Sequence, residues 1–472
     1  MNVIIKLINI VMKKQIIFIL ILFFSACFNI TQAQKKMNVV FILSDDQRYN
    51  TVHALGNKDI ITPNLDRLVA MGTSFTRAHI MGGRQGAICM PSRVMMLTGR
   101  YANHLEKDGA IIPESTPTFA EILRTKGYTT FHSGKWHSDK ASHNRSFIIG
   151  DNLFFGGMNF PDSGGQEKPR IFHYDSTAKY PFDKEFQSDH FSSQSYAEAA
   201  VNFINQQKNS DKPFVCYLAF TSPHDPRTPP EKFMKLYDLN KIPLPTSFMP
   251  QHPFDNGELV NRDESLLPRP LNEDSIRKEV AAYYAMITEM DSHVGEVLDA
   301  LQANGMMDNT LIIFAGDNGL ALGNHGLLGK QNLYDYSVRV PLIITGPGLP
   351  KNKRNDALCY LSDIAPTVLD YLHEPLPSST ESKSLIPTIK YNTPLRDNVY
   401  YLYRDIQRGV RTADNWKLIV YNVKGKHTTQ LFDLNTDPYE LHNLADDKKY
   451  DARLKALTAL LEKRYERLWR QS

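Results

Sequence analysis

At 472 residues, 42% hydrophobic and 22% charged, the chain has an ordinary globular composition and length enough for one large domain plus a smaller one. Its 54 Lys and Arg against 51 Asp and Glu give a formal charge of +3, but Lys6, Lys13 and Lys14 all fall within the first 33 residues, which hold no acid. The rest is balanced at 51 against 51, which excludes a global basic field for nucleic acid and leaves any anion recognition to local groups.

Residues 1–33 read as a targeting segment. Lys13 and Lys14 precede the nine-residue apolar run IIFILILFF (16–24), too short to span a membrane comfortably, and Thr31-x-Ala33 fits cleavage after Ala33. The pattern predicts export to the periplasm or medium, with no transmembrane segment in the mature chain. Ser25, Ala26 and Cys27 also resemble a lipobox, so a lipid anchor at Cys27 is the alternative. Of the other three cysteines, Cys216 and Cys359 lie in apolar runs and read as buried thiols, while Cys89 has no evident structural role.

In chain order, MNVVFILSDDQ (37–47) is a predicted buried strand ending in two carboxylates. TPNLDRLVAMG (62–72) follows as a helix with Thr62 as its cap, and a short helix starts at Pro91, Ser92 and Arg93. A helix at 116–127 leads into the strand YTTFHSGKWH (128–137). Then come a helix at 192–207, the strand KPFVCYLAFTSPH (212–224), a long amphipathic helix at 277–305, the strand NTLIIFAGDNG (309–319), the strand VPLIITGPG (340–348) and a helix at 362–372. This alternation predicts an α/β domain over 37–375, a large mostly parallel sheet sandwiched by helices. After a Pro/Ser-rich connection, short strands and a terminal helix (451–469) predict a small antiparallel C-terminal subdomain over 376–472.

Polar groups cluster just past these strands: Asp45 and Asp46, Lys135 and His137, His224, Asp317 and Asn318. Ligands bind at the carboxyl ends of the strands in an open parallel sheet, so distant segments would meet there. Asp45, Asp46, Asp317 and Asn318 offer only oxygen donors, the preference of Ca²⁺ or Mg²⁺. Each pair alone also fits a simple turn, and Lys135, His137, His224, His325 and Lys330 alone also fit ordinary loops.

The stretch Cys89-Met90-Pro91-Ser92-Arg93 followed by LTGR resembles the type I sulfatases of the alkaline phosphatase superfamily. FILSDDQ, TPNLDRL, GKWH, SPH, MDSHVG, GDNG, GLLGKQNLYD and RTADNWKLI…LFDLNTDPYELHNLA occur in the family's order, so the likeness runs over residues 37–472. The resemblance implies an alkaline-phosphatase-like fold and hydrolysis of sulfate esters. It implies that a formylglycine-generating or anaerobic sulfatase-maturing enzyme oxidises Cys89 to formylglycine. It assigns Asp45, Asp46, Asp317 and Asn318 to one Ca²⁺, with Mg²⁺ second. Arg93 would hold the hydrated aldehyde, and Lys135 and Lys330 would contact sulfate. His137 would deprotonate the aldehyde hydrate, His224 would protonate the leaving oxygen, and His325 would line the substrate side. Arg84, Gln85, Asp225 and Arg227, with the polar insert 150–195, surround the motifs and are expected to select the substrate. A sulfated polysaccharide is expected, with algal ulvan or carrageenan ahead of glycosaminoglycans. A phosphate mono- or diester hydrolase of the same superfamily and a glycan-binding relative without catalysis are the alternatives.

Overall fold

The central strand β1 (Asn38–Ser44) explains its own unbroken apolar run. Val39, Phe41 and Leu43 enter one hydrophobic core and Val40 and Ile42 the other, so both faces are covered and no polar alternation is needed. The computed structural model describes residues 36–469 together with Met1, Ile4, Ile5 and Met12. The expected cleavage site after Ala33 and the lipobox cysteine Cys27 lie outside the described residues. Met1–Lys36 is a unit of its own, and Met37–Ser472 is one compact unit.

The large sheet adds β2 (Thr73–Phe75), β3 (Thr129–Lys135), β4 (Ile149–Phe154), β5 (Phe214–Ala219), β6 (Thr310–Gly316), β7 (Leu342–Thr345) and β8 (Lys353–Asn355). Their spatial order is β8-β2-β7-β6-β1-β5-β3-β4, and only β7, the VPLIITGPG strand, runs against its neighbours. The sheet is therefore mostly parallel, as expected. Helix α1 (Pro63–Met71) packs on the long helix α4 (Glu273–Ala303), which together with α3 (Ser192–Gln206) covers one face; α2 (Cys89–Thr98) lies on the other.

Two helix starts differ from the sequence reading for identifiable reasons. Thr62 makes no side-chain cap; its hydroxyl accepts from His53 N, and α1 is capped by Asp291 of α4, whose carboxylate accepts from Asn64 N (3.0 Å) and Leu65 N (2.7 Å). Helix α4 begins at Glu273, four residues before the predicted start, because the Asn272 side chain accepts from Asp274 N and Ser275 N.

Strands β9 (Asn398–Tyr403), β10 (Gln407–Thr412), β11 (Trp416–Val423) and β12 (Lys426–Asp433) form an antiparallel meander. Leu457 and Leu461 of the terminal helix α5 (Asp451–Trp469) pack on Val410, Leu418 and Leu431. The Gly82–Gly83 strand, six residues before Cys89, pairs with β9 and ties this sheet to the segment leading into α2. Among the described residues no helix is long and apolar enough to cross a membrane.

Candidate active site

Strands β1 and β6 run in register from Asn38 opposite Thr310 to Ser44 opposite Gly316, which sets Asp45 and Asp46 beside Asp317 and Asn318. The ladder continues past the strands: Asp45 N donates to Ser222 O and Asp317 N to Ser44 O, each at 3.0 Å. The chain then turns sharply at Asp46 (φ 64°), whose N–H donates to Asp317 Oδ1 (2.9 Å) and whose carbonyl accepts from the Tyr283 hydroxyl (2.6 Å). Lys135 arrives from β3 after a register shift at Gly134. A Cβ on Gly134 would lie 1.9 Å from Ala219 O, so this close approach requires glycine.

Helix α2 starts at Cys89, two residues earlier than the sequence suggests, so the thiol belongs to the first turn instead of preceding it. Ser92 Oγ donates to Asp317 O (2.6 Å). Arg93 Nε donates to Asp317 Oδ2 (2.9 Å) and Nη1 to Lys135 O (2.8 Å), fixing the helix against two strand ends.

The Cys89 Sγ sits 2.9 Å from Lys330 Nζ and 3.5 Å from Asp46 Oδ1. Lys330 Nζ also reaches both Asp46 oxygens, at 2.8 and 3.0 Å, and Lys135 Nζ reaches Asp45 Oδ2 at 2.6 Å. His224 Nε2 lies 3.6 Å from Asp46 Oδ2, while its Nδ1 donates to the Asp225 carbonyl (2.8 Å) beside the Asp225 carboxylate (3.2 Å). Burial pushes the Cys89 thiol well up, against the pull of Lys330. Burial opposes charge on Asp45, but Lys135 and Arg93 outweigh it and hold the carboxyl well below its usual range. The two histidines diverge. Burial, then Lys135 and Arg93, drive His137 well down, whereas Asp46 and Asp225 overcome burial and Lys330 to raise His224.

The donors fit a hard divalent cation. Asp45 Oδ1 and Asn318 Oδ1 are buried with no hydrogen-bond partner, and burial together with the charge of Asp45 outweighs Arg93 and raises the Asp317 carboxyl to about 7. Ligand atoms of Asp45, Asp46, Cys89 and His224 also lie within 4.8 Å of one another. A hard divalent cation prefers oxygen donors, and Asp45, Asp46, Asp317 and Asn318 supply an all-oxygen set.

Thus the structure brings together Asp45, Asp46, Cys89, Arg93, Lys135, His224, Asp317, Asn318 and Lys330. His137 (φ 65°) lies two residues beyond Lys135, its Nδ1 buried without a partner. Asp225 braces His224. Gln85 contacts Met90 Sδ and Asp108 O, and Arg84 beside it is exposed. Arg227 and His325 turn to protein partners instead. Arg227 pairs with Glu279 (2.7 Å), and His325 bonds Glu440 O and stacks on Tyr334 at 4.1 Å. The sequence reading missed Arg262, which pairs with Asp225 and Asp263. It also missed Gln331, whose side chain joins Asp263 Oδ2 (2.8 Å), Gly86 O (3.2 Å) and Lys330 N (3.1 Å). Adjacency to Lys330 was the one available clue to Gln331; Arg262 and Asp263 lie in an irregular segment with no periodic signal.

The family model described as Sulfatase matches residues 37–374, and one described as N-sulphoglucosamine sulphohydrolase, C-terminal, matches residues 323–467. The chain belongs to the sulfatase family. It is a sulfuric ester hydrolase. A sulfatase of Formosa agariphila is 29% identical over 470 residues, covering 92% of this chain and 88% of its own. An ulvan-active sulfatase of the same organism is 26% identical over 458 residues, covering 91% and 81%. Among solved structures, BT4656 in complex with its substrate D-glucosamine-2-N,6-O-disulfate shares the fold at a TM-score of 0.75 and 22% identity, over 92% of this chain and 98% of that one. The phosphonate monoester hydrolase of Agrobacterium radiobacter shares it at 0.71 and 21%, over 92% and 96%.

Proposed function

We propose that this sulfatase is exported and removes sulfate from a sulfated polysaccharide or its oligosaccharides, of the ulvan or carrageenan type. In this reading it uses formylglycine made from Cys89 by a maturation enzyme, and Ca²⁺ held by Asp45, Asp46, Asp317 and Asn318. The observation that carries the reading is Cys89 in the first turn of α2, its sulfur 2.9 Å from Lys330 Nζ and 3.5 Å from Asp46 Oδ1. The glycan class is supported by the ulvan-active relative.

The thiol stands where the hydrated aldehyde would be. Hydrated formylglycine supplies two hydroxyls on one carbon, one to attack sulfur and one whose deprotonation lets sulfate depart, which a plain serine cannot do. The cation would add positive charge beside the ester's anionic oxygens. Lys330 and Lys135 contribute fixed positive charge where negative charge grows in the transition state. Arg93 ties Asp45 and Asp317 to the helix bearing Cys89. His224, raised by its carboxylate neighbours, carries a proton for the leaving oxygen, and Asp225 orients it through Nδ1. His137, held neutral by burial and two cations, can accept one. Environments that push the two imidazoles apart divide acid from base.

The test is free-sulfate release from desalted ulvan, carrageenan and glycosaminoglycan oligosaccharides, with mass spectrometry of the Cys89 peptide after co-expression with a maturation enzyme. Activity on choline sulfate alone would overturn the glycan reading. Full activity without conversion of Cys89 would overturn the formylglycine step. The likeness to a phosphonate hydrolase concerns the fold alone, and faster turnover of an aryl phosphonate than of an aryl sulfate would favour that chemistry. N-terminal sequencing of protein from the medium or periplasm tests export, with Gln34 expected as the first residue.

A further inference from the structure

Two residues past Asp46, Arg48 lines a cavity of about 590 Å³ that none of the groups assigned above to catalysis or metal binding enters. Arg48 is 8% exposed. Its Nη1 donates to Asn324 Oδ1 (3.1 Å), its guanidinium lies 5.7 Å from the Tyr336 ring, and Nε is buried without a partner. No carboxylate pairs with it among the described residues. Of the acids on the same wall, Asp335 is engaged by Arg411 (2.6 Å) and Lys417 (2.9 Å) and Glu440 by Lys417 (2.7 Å), while Asp59 is exposed at the rim next to Lys58. Arg339 is held by Asp335 (3.5 Å) and covers the Tyr49 ring at 3.9 Å. Arg48 is thus a buried guanidinium left without a counter-ion at the wall of a large cavity.

Burying a charge without a partner is costly, and a guanidinium matches the oxygens of sulfate or carboxylate in a two-point fork. The remaining lining suits a sugar. Tyr284 and the 46% exposed Tyr439 offer aromatic faces, Asn50 Oδ1 is a buried acceptor without a partner, and exposed Lys58 adds positive charge. We propose that this cavity is a second saccharide subsite, holding a sulfate or carboxylate substituent of an acidic oligosaccharide against Arg48. The proposal rests on the polysaccharide reading above.

The experiment titrates the full-length Cys89→Ala protein, with Ca²⁺ present, by calorimetry against ulvan and carrageenan oligosaccharides, their chemically desulfated forms, and inorganic sulfate. Two classes of sites are expected for the acidic oligosaccharides. One should weaken at least tenfold in Arg48→Gln and in the rim variant Lys58→Glu/Tyr439→Ala, whose exposed positions keep the test open if Arg48→Gln does not fold. With Cys89 intact, the rim variant should turn over 4-nitrophenyl sulfate within twofold of the parent. Unchanged oligosaccharide binding in the rim variant, while the parent still desulfates these oligosaccharides, would overturn the cavity assignment alone. Equal Arg48-dependent affinity for inorganic sulfate and oligosaccharide would reduce the cavity to a simple anion site and overturn the saccharide assignment. If no oligosaccharide is bound or desulfated by any form, the polysaccharide reading itself fails.

Discussion

Replacing Lys330 by methionine keeps the aliphatic stem and removes one charge from the centre of the site. That charge sits 2.8 and 3.0 Å from the Asp46 oxygens and 2.9 Å from Cys89 Sγ. A unit charge pair at about 3 Å in an effective dielectric of about 20 interacts by roughly 5 kcal/mol before desolvation is charged against it. Losing one preorganised donor from a water-poor site costs about 3–4 kcal/mol, roughly 10²–10³ in kcat. Lys330→Met should therefore lower kcat on 4-nitrophenyl sulfate by two to three orders of magnitude, roughly 1.4 kcal/mol per decade, with a smaller change in KM. The substitution also deprives Asp46 of its cation, and Asn318 Nδ2 at 2.6 Å is a neutral replacement. A drop in Tm is expected, so the kinetics belong well below it. Mass spectrometry of the Cys89 peptide must accompany the assay, since failed maturation would imitate failed catalysis. A less than tenfold loss with Cys89 fully converted, or a loss confined to KM, would refute the assigned role.

Three further outcomes follow from the same geometry. Chelation should abolish activity and lower Tm, and Ca²⁺ at a hundredfold excess over its Kd should restore about 2.7 kcal/mol of stability, read by calorimetry; an unchanged Tm would argue against the oxygen set of Asp45, Asp46, Asp317 and Asn318. Asp291→Ala removes the acceptor for two N–H groups at the start of α1 and should cost about 2 kcal/mol in denaturant unfolding while leaving aryl sulfate kcat unaltered. Burial lowers the proton affinity of His293, but Glu289 (3.1 Å) and Glu296 (2.9 Å) outweigh it and raise the pKa above its ordinary value near 6.5. Its contribution, about 1 kcal/mol, is complete below that value and is lost as pH rises through the folded pKa, so Tm should fall across this interval and His293→Gln should flatten the slope.

What the residue pattern made legible was whatever depends on chain direction. Each of β1, β5 and β6 is a short apolar run followed by polar residues, and a parallel sheet necessarily gathers such ends on one edge. The placement of Asp45, Asp46, His224, Asp317 and Asn318 together thus needed no long-range information beyond the fold class. Helix caps and supports were not legible in the same way. Thr62 has the right side chain in the right place, yet the cap comes from Asp291, 228 residues after Pro63. His325 sits five residues from Lys330, yet its ring (backbone φ 50°) stacks on Tyr334 and bonds Glu440 O. Nothing local distinguishes these outcomes, because each is decided by which surface the assembled fold brings within hydrogen-bond or stacking reach.

The backbone at the site bears on why the residues past the strands must be these. Asp46 and His137 both hold φ near +65°, a region costly for a side chain that carries a Cβ. Glycine would relieve that cost at either position but would remove the functional group. At Asp46 the left-handed turn has a visible return: it directs the N–H to Asp317 and the carbonyl to Tyr283, leaving the carboxylate between Lys330, Asn318 and His224. An extended residue there would continue β1 and carry its side chain past the cluster. The strain is held by partners on β6, α4 and the Lys330 loop, elements far apart in sequence, so it persists only in the assembled fold. Arg48, two residues past the turn, lines the cavity of about 590 Å³. One unfavourable dihedral therefore aims the carboxylate at Lys330, two residues before the arginine on the wall of the proposed saccharide subsite.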